Sequence, residues 1–382
     1  MAWLTSEAAL KALGTKPQSL YASVSRGRIR ARPDPHDPRR SLYDADDVER
    51  LARRSAGRRK AEAVAADAIR WGDPVLPSAI STIIEGRLYY RGHDVVALAE
   101  AATLEDVAGL LWQAPGADFG LPAAGHPEAV LEIIPLRRAF AAIADRAAAD
   151  RPALGRPLTE LRGEAAGIVA TLARALGAVA SSAPLHRRFA AAWRRPEAAQ
   201  LLRQALVLLA DHELNASTFA ARITASTGAS LAAAVLSGLA TLTGPLHGNA
   251  YLAIRALAAA SARDGTAATA RAWQAGGRAL PGFGHRLYPD GDPRAQALLA
   301  LFPLPPTYAA LASLGRELTG EPPNVDFALT ALASAFDLPE DAPFTLFAVA
   351  RSTGWLAHAL EQIGTGTLIR PRANYIGVPP SA

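Results

Sequence analysis

Residues 281–295 read PGFGHRLYPDGDPRA, in a chain of 382 residues that is otherwise rich in alanine and leucine. The stretch contains three glycines, three prolines, one histidine and two arginines. Because glycine and proline interrupt helices, we predict that Pro281 to Pro293 form a loop whose backbone conformation is specified. His285 and Arg294 bracket its charged part. Taken alone, the stretch also fits a surface turn with solvated charges.

The composition is that of an ordinary globular protein. Half of the residues are hydrophobic and 20% are charged, and the length allows about two or three domains. The absence of cysteine excludes disulfides, thiolate zinc sites and cysteine nucleophiles, and it fits a reducing compartment. The N-terminal sequence MAWLTSEAALKALG lacks the pattern of an export signal. We therefore expect a cytoplasmic protein.

One uncharged segment, Ile223 to Leu246, is long enough to raise the question of a membrane span. It contains seven Ser and Thr residues, three glycines and a proline. His212, Glu213 and His247 flank it. We expect a pair of buried helices here rather than a membrane helix.

Positive charge is concentrated at the N-terminus. Residues 1–60 hold 14 Lys and Arg against 7 Asp and Glu, a net charge of +7, whereas the rest of the chain has a net charge of −2. The high isoelectric point therefore describes a short segment and says little about the remainder.

The N-terminal sixty residues have a pattern of their own. Thr5 or Ser6 can cap a helix that ends at Gly14, and a second helix is expected to begin near Pro17. A small hairpin and an acidic-capped helix, Asp44 to Arg54, should follow. The order resembles the winged helix-turn-helix modules of the MerR and excisionase type. Five arginines are predicted to contact DNA phosphates: Arg26, Arg28, Arg30, Arg39 and Arg40.

An alternative for these arginines is a solvated basic face that contacts another protein. Between the module and the rest of the chain, Ser55 to Arg70 is polar and alanine-rich, which favours a helical linker.

The remaining sequence is predicted to be almost wholly helical, because its apolar residues recur at spacings of three to four. One exception is Ala79 to Arg91, where we predict a hairpin around Glu85 and Gly86. The predicted helices are Leu104 to Trp112, Glu128 to Ala149, Leu158 to Ala180, Glu197 to Glu213, Leu231 to Leu242, Ala250 to Ala262, Thr266 to Ala279, Tyr308 to Glu317, Val325 to Phe336 and Phe344 to Gln362.

Three histidines lie where predicted helices end: His212 in LLADHELNAS, His247 in GPLHGNA and His285 in PGFGHRLYP. They are 35 and 38 residues apart and lack the spacing of metal ligands, so we predict no metal site. A single histidine in such a place is more often structural than catalytic, but three of them favour a site.

Charged residues elsewhere supply further candidates. In EPPNVDFAL, Asp326 opens an apolar helix, and as an isolated feature it fits a residue favoured by the helix dipole. Arg351 lies inside an apolar helix, and Arg370 precedes a proline near the C-terminus. Such arginines either reach solvent or bind a fixed anion.

In this order, the motifs DHELNAS, GPLHGNA, PGFGHRLYPDGDPRA, PPNVDF, FAVARSTGWLAHALEQ and RPR resemble those of the citrate synthase family, from about Trp71 to Tyr375. A subset of that family is similar in carrying a helix-turn-helix module in front. The resemblance implies a mainly α-helical enzyme that condenses acetyl-CoA with oxaloacetate. It also implies no permanently bound cofactor, because the coenzyme A thioester is a substrate.

The resemblance implies a role for each motif residue. Asp326 matches the base that removes the methyl proton, and His247 matches the group that hydrogen-bonds the thioester oxygen. His285 would polarise the oxaloacetate carbonyl. The remaining implied contacts are His212, Arg294, Arg351 and Arg370 on oxaloacetate, and Gly282, Phe283 and Gly284 on the coenzyme.

The family also implies that Arg370 reaches the site of a neighbouring subunit, so that a homodimer is the smallest working unit. We predict a helix-turn-helix module over residues 1–60, a large helical domain over 61–249 and 338–382, and a small one over 250–337. Two residues depart from the family pattern: Asn249 stands where a glycine is commoner, and Pro289 stands where many members have a lysine after the tyrosine.

Two other functions remain open at this point. A 2-methylcitrate synthase would use propionyl-CoA, which differs by one methyl group on the acyl chain, and the residues that line the acyl pocket cannot be identified from the sequence. The other is a DNA-binding regulator that uses a citrate synthase body to sense metabolites. Because Asp326 and His247 are both present, the sequence favours an active enzyme.

Overall fold

The computed structural model describes residues 3–13, 17–25, 29–35, 37, 40–49, 76–120, 135–373 and 375–378. Contacts within the chain divide it into two units. We call Met1–Pro77 with Pro371–Ala382 the N-terminal unit, and Ser78–Arg370 the main body. The finer division of the main body into a large and a small domain stays a prediction.

The N-terminal unit contains a small antiparallel sheet and two short helices. Ser41–Asp44 is the middle strand, with Trp3–Leu4 on one side and Ala31–Pro33 on the other. The helices are Ser6–Leu13 and Pro17–Ser25, and residues 45–49 are also helical. The small core consists of Ala9, Leu13, Leu20, Ile29, Tyr43 and Val48.

Carboxylates hold the strands of the N-terminal unit to the helical residues 45–49. Asp44 Oδ1 accepts hydrogen bonds from the backbone N–H groups of Asp46 and Asp47, both at 3.1 Å, as a helix cap does. Arg30 donates through Nε to Asp47 Oδ2 at 2.7 Å, and its Nη2 lies 3.2 Å from Asp44 Oδ2. Arg30 therefore connects the start of the hairpin to this helix.

The main body is mainly helical, as the sequence predicted. Its helices are Val95–Ala101, Leu104–Trp112, Pro135–Ala149, Leu158–Ala175, Leu185–Ala192, Ala199–Leu209, Ala216–Ser226, Leu231–Leu242, Ala250–Asp264, Thr266–Ala275, Pro293–Leu299, Pro306–Thr319, Val325–Ala335 and Ala342–Thr365, with a 3₁₀ turn at Pro196–Ala198. The expected pair of buried helices around Gly228 is present. None of the helices in the described ranges is both long and apolar enough to cross a bilayer.

Several predicted helices are shorter in the structure, among them the one expected from Thr266 to Ala279, which ends at Ala275. The helix expected from Glu197 to Glu213 ends at Leu209, and Glu213 has a left-handed backbone with φ of 51°. Asn215 then caps the next helix by accepting a hydrogen bond from the Thr218 N–H at 3.2 Å. His212 therefore lies in a connecting segment. The helix expected to reach Ala180 ends at Ala175.

The predicted hairpin is confirmed. Ser81–Ile84 pairs with Arg87–Tyr90 in antiparallel register, and His93–Asp94 adds a third strand. At the turn, Glu85 has φ of 50° and Gly86 has φ of 72°. Positive φ at both central residues is the conformation that matches the twist of the flanking strands, which explains glycine at the second position.

The helix Ala342–Thr365, which we call the central helix, is buried along most of its length. It packs against Leu104–Trp112, Leu158–Ala175, Ala199–Leu209, Ala216–Ser226, Leu231–Leu242 and Val325–Ala335. An all-round apolar helix is stable in water only as the core of a larger body. Arg351 and His358, which lie on this helix, are consequently enclosed by protein.

Close packing of the central helix depends on Gly238. A Cβ at this position would lie 2.6 Å from Cδ2 of Trp355, whose side chain is fully buried. We expect Gly238→Ala to lower the free energy of unfolding by about 1–3 kcal/mol through overpacking. Gly163→Ala is the matched control, because a Cβ there meets nothing within 4 Å, and it should stabilise by about 0.5–1 kcal/mol. Thermal melts of both variants measure the difference, and equal effects would contradict this account.

Candidate functional site

The stretch 281–292 is a loop that pairs with a second loop at 322–324. Gly284 N–H donates to Pro322 O at 3.0 Å, and Asn324 N–H donates to Gly282 O at 2.8 Å. The Asn324 side chain also donates to Gly284 O at 3.1 Å. Both glycines have positive φ, 87° and 70°, which side chains other than glycine rarely adopt. The pairing brings His285 next to the helix Val325–Ala335, which carries Asp326 in its first turn.

Asp292 joins the two loops through one buried carboxylate. Its Oδ1 accepts from the Arg294 N–H at 3.1 Å and from Arg294 Nε at 2.9 Å, and its Oδ2 accepts from Arg294 Nη2 at 2.9 Å. Oδ2 also accepts from the Val325 N–H at 3.0 Å. Burial acts to raise the pKa of Asp292, but the Arg294 guanidinium outweighs it and holds that pKa below its usual range. The carboxylate is therefore ionised and paired.

Two imidazoles and a phenol form one cluster. His212 Nε2 lies 2.9 Å from Tyr288 Oη, and the rings of His212 and His285 meet edge to face with centroids 5.1 Å apart. The backbone N–H of Leu287 donates to His285 Nδ1 at 3.2 Å. Because Nδ1 is the acceptor in that bond, Nε2 carries the hydrogen of a neutral His285 ring. His285 therefore presents an N–H donor.

Burial and nearby arginines keep these imidazoles neutral. Burial, with the charge of Arg294 added to it, lowers the pKa of His285 to about 4. Burial and the same arginine bring the pKa of His212 well below its usual value. At neutral pH both rings are hydrogen-bonding groups without charge.

His247 lies on the turn before the helix Ala250–Asp264, and its environment is separate from that cluster. Its Nε2 is 2.8 Å from Ser217 Oγ, which also accepts from Trp355 Nε1 at 3.1 Å. The His247 ring meets the Phe347 ring edge to face at 5.8 Å. Burial, together with the charge of Arg351, lowers the pKa of His247 to about 4.

Arg351 is a buried cation with unused hydrogen-bonding capacity. Its Nε donates to Leu209 O at 2.9 Å, and its guanidinium lies 4.8 Å from the centroid of the Phe347 ring. Its Nη2 has no hydrogen-bond partner among the described residues. Burial lowers the pKa of Arg351 to about 10, and Asp211 opposes this effect. An orphaned donor of this kind suits an anionic ligand.

Asp326 is the carboxylate of the site that lacks a tight cationic partner. It occupies the first turn of its helix, where Asn324 Oδ1 accepts from the N–H groups of Asp326 and Phe327 at 3.1 and 3.3 Å. Burial raises the pKa of Asp326 to about 6, although the Arg294 charge acts in the opposite direction. An acid with a pKa near neutrality is suited to transfer protons.

The structure brings most of the predicted site residues together, since His212, His247, His285, Arg294, Arg351 and Asp326 are linked by direct contacts or by electrostatic influence on each other's pKa. Arg370 is exposed, and no hydrogen bond or ring contact joins it to the others within the described ranges. The Phe283 ring packs against Phe327 and into the space beside Gly315, so this loop offers its backbone rather than that ring.

The structure describes two of the five candidate DNA-contacting arginines. Arg30 is paired with Asp44 and Asp47, and Arg40 lies 3.3 Å from Asp37 while remaining mostly exposed. Arg26, Arg28 and Arg39 lie outside the described residues. The group therefore stays a prediction.

Four residues contribute to the site that the sequence did not single out: Tyr288, Asp292, Ser217 and Asp211. Tyr288 and Asp292 lie within the opening Gly-Pro stretch, and Asp211 directly precedes His212. Their proximity to the predicted histidines and arginine was the only hint that the sequence offered. Their partners are distant in the chain or require the folded loop.

The chain is similar to known proteins in both sequence and fold. Residues 70–372 match the family model described as citrate synthase, C-terminal domain. Citrate synthase 2 of Bacillus subtilis is 29% identical over 350 residues, which is 78% of this chain and 93% of the relative. The citrate synthase of Haloferax volcanii is 40% identical over 192 residues, 47% of this chain and only 50% of its own length. The crystal structure of citrate synthase from Thermotoga maritima superposes with a TM-score of 0.66 at 27% identity, covering 81% of this chain and 96% of that one.

The raised pKa of Asp326 predicts a stability effect that depends on pH. Because its folded-state pKa is about 6, above the ordinary value of 3.8, keeping the carboxylate ionised costs stability, and this cost grows as pH rises from 4 through 6. We expect Asp326→Asn to raise the free energy of unfolding at pH 8 by about 2–3 kcal/mol. The gain should shrink at pH 5. Thermal melts at both pH values, with the exposed Asp290→Asn as control, measure it, and a gain that is equal at both values would contradict the assignment.

Proposed function

The chain belongs to the citrate synthase family, and on that premise we propose that it condenses acetyl-CoA with oxaloacetate to give citrate and coenzyme A. This makes it an acyltransferase in which the acyl group becomes an alkyl group on transfer. The observation that carries the proposal is a carboxylate with a pKa near 6 beside two buried arginines and neutral imidazole donors. Such a set can ionise a weak carbon acid and bind a dicarboxylate.

In the first step, Asp326 removes a proton from the methyl group of acetyl-CoA. The C–H electron pair forms a carbon–carbon double bond, the thioester C=O pair moves onto its oxygen, and a hydrogen bond from His247 stabilises the resulting enolate charge. Because His247 Nε2 is occupied by Ser217, the donor to the substrate is Nδ1. This requires the Ser217 hydroxyl to donate to Nε2, although its proton can also reach Asn215 Oδ1 at 2.8 Å. The direction of the Ser217 hydroxyl hydrogen therefore decides which tautomer His247 adopts.

In the second step, the enol carbon attacks the carbonyl carbon of oxaloacetate. The carbonyl oxygen gains electron density and takes a hydrogen bond or proton from His285 Nε2, while His212 bonds the same substrate. Arg351 offers its unpaired Nη2 to a substrate carboxylate. Arg294 has already committed Nε and Nη2 to Asp292, so its Nη1 edge faces the substrate. A fork of this kind suits carboxylates better than lysine does.

In the last step, water attacks the thioester carbonyl of the bound intermediate, and coenzyme A leaves as a free thiol. The reaction needs no permanently bound cofactor. The backbone of Gly282, Phe283 and Gly284 would contact the coenzyme, and the inward position of the Phe283 ring supports a backbone contact. Closure of the predicted small domain, residues 250–337, over the large one would exclude water during condensation.

A homodimer belongs to this proposal. Arg370 is exposed at the end of the main body, where it is free to serve the site of a partner subunit. An isologous pair would complete both sites by one symmetry operation.

We further propose that the N-terminal unit is a winged helix-turn-helix module that binds DNA. Two consecutive helices followed by a hairpin and a net charge of +7 over residues 1–60 support this assignment. The pairing of Arg30 with two aspartates assigns that arginine to holding the module together. Arg32 is exposed and stacks on the Trp3 ring at 4.3 Å, which leaves its charge on the hairpin surface.

A thiol-release assay with oxaloacetate and either acetyl-CoA or propionyl-CoA tests the main proposal. We expect the acetyl thioester to be used faster; a preference for propionyl-CoA would instead establish the 2-methylcitrate activity. Because only ionised Asp326 can accept a proton, kcat/KM should rise with pH through about 6.

The variant Asp326→Ala should lower turnover by about 100-fold to 10,000-fold while the protein remains folded. Asp290→Ala is the control. It removes an exposed carboxylate in the loop 281–292 and should keep wild-type turnover. Near-wild-type turnover of Asp326→Ala would contradict the proposed mechanism.

DNA binding should depend on phosphate contacts and fall steeply with added salt. In a mobility-shift assay on genomic fragments, we expect replacement of Arg26, Arg28 and Arg39 by alanine to weaken the shift of the full-length protein and leave thiol release unchanged. The control replaces three exposed arginines of the main body, Arg137, Arg187 and Arg263. Absence of any shift at low salt would refute DNA binding and leave the unit as a structural accessory.

A further inference from the structure

A buried series of polar side chains runs behind the site and takes no part in the steps above. Asp211 Oδ2 accepts a hydrogen bond from Ser81 Oγ and lies 3.3 Å from His358 Nε2. His358 Nδ1 lies 3.2 Å from Arg222 Nη1, which also donates to Glu361 Oε2 at 2.7 Å. We call these five residues the polar chain. It connects the hairpin to the central helix.

The polar chain has a fixed direction of hydrogen bonding. A guanidinium can only donate, so His358 Nδ1 is the acceptor from Arg222, and Nε2 carries the ring hydrogen. His358 therefore donates to Asp211. With Ser81 donating from the other side, the Asp211 carboxylate is held by two donors on one oxygen. Asp211 and His358 are both fully buried, so water does not compete for the hydrogen bond between them.

Tyr90 and Ser81 hold the backbone on both sides of His212. The N–H of Asp211 donates to Tyr90 Oη at 3.0 Å, and that hydroxyl lies 3.1 Å from the carbonyl oxygen of Asp211. The N–H of Glu213 donates to Ser81 Oγ at 3.0 Å. The residues before and after His212 are thus tied to the hairpin, which limits the movement of the His212 ring.

The charge of Asp211 acts on Arg351. It opposes the effect of burial, which lowers the pKa of that arginine. The two side chains nevertheless do not form a hydrogen bond, since Asp211 Oδ1 and Arg351 Nη2 both lack a partner among the described residues. Gly354 adjoins Asp211 Oδ1, where any side chain would collide with that oxygen. Asp211 therefore balances part of the charge of Arg351 and leaves its Nη2 without a partner among the described residues.

We propose that Asp211 is a positioning residue for the dicarboxylate substrate, and that the polar chain holds it in place. Its carboxylate accepts from Ser81 Oγ, the group that holds the backbone N–H of Glu213 next to His212, and it serves as the internal counter-charge of Arg351, so that an Arg351 nitrogen remains available to a substrate carboxylate. The identity of that dicarboxylate as oxaloacetate rests on the proposed function. The hairpin and the outer turns of the central helix thereby become part of substrate binding.

The experiment is a calorimetric titration of the full-length protein with oxaloacetate alone, followed by steady-state kinetics. His358→Leu removes the donor to Asp211 and should weaken oxaloacetate binding about tenfold, because a hydrogen bond to a charged group is lost. His358→Gln keeps an amide donor near the Nε2 position and should bind close to wild type. Ser81→Ala removes the other hydrogen-bond donor to Asp211 and should weaken oxaloacetate binding to a smaller extent. The KM for acetyl-CoA should stay unchanged in all three.

Ser230→Ala is the matched control. It removes a buried serine that caps the helix Leu231–Leu242 by accepting from the Ala233 N–H at 3.2 Å, and no contact links it to the polar chain. A similar loss of stability without weaker oxaloacetate binding would show that the effect is specific to the polar chain.

Wild-type oxaloacetate affinity in folded His358→Leu and Ser81→Ala would overturn the inference, as would equal changes in KM for both substrates. If His358→Leu does not fold, Ser81→Ala decides the matter. A wild-type protein that binds oxaloacetate without releasing thiol would contradict the proposed condensation while the titration still tests Asp211. A wild-type protein that does not bind oxaloacetate would overturn both.

Discussion

The arrangement of the site depends on the pairing of Asp292 with Arg294. One carboxylate accepts from two backbone N–H groups, at the starts of two different helices, and from both nitrogens of one edge of a guanidinium. A buried charge is costly unless it is paired and hydrogen-bonded, as this one is. The pair fixes the Gly-Pro loop to the helix that carries Asp326. His285 and Asp326, which lie 41 residues apart in the sequence, therefore keep a constant relation to each other.

The charge state of each site residue depends on whether a partner of opposite charge offsets the cost of burying it. Arg294 has a carboxylate partner and stays firmly charged, whereas the neighbouring imidazoles have none and remain neutral. Asp326 lies between these cases, since burial raises its pKa and only more distant arginines oppose the rise. Donors set in advance in an environment that excludes water stabilise charge as it develops, without reorganising during the reaction. The division of labour among these residues is therefore a consequence of their partners rather than of their residue types alone.

Much of the fold was predictable because long amphipathic helices and the Glu85-Gly86 turn have strong local patterns. Three helices were missed: Val95–Ala101, Leu185–Ala192 and Pro293–Leu299. Two or three turns supply too few apolar positions for periodicity to be recognised. The predicted histidines, Asp326, Arg294 and Arg351 do meet. Asp211 and Ser217 could not be assigned, because their partners His358, Ser81 and His247 are brought near only by the fold.

The Nη2 of Arg351, which has no hydrogen-bond partner among the described residues, favours anionic ligands at the site. A desolvated guanidinium recovers part of its lost solvation when any small carboxylate arrives, so the pocket draws dicarboxylates as a class. A 2-hydroxy dicarboxylate of the same length presents the same two carboxylates and a hydroxyl in reach of His285, but it has no carbonyl carbon for an enol to attack. Under the proposed reaction, such compounds would compete with oxaloacetate for the site without reacting. The rate of condensation would then depend on the ratio of oxaloacetate to its reduced analogues, so that the redox balance of the surroundings would be transmitted to a site that performs no redox chemistry.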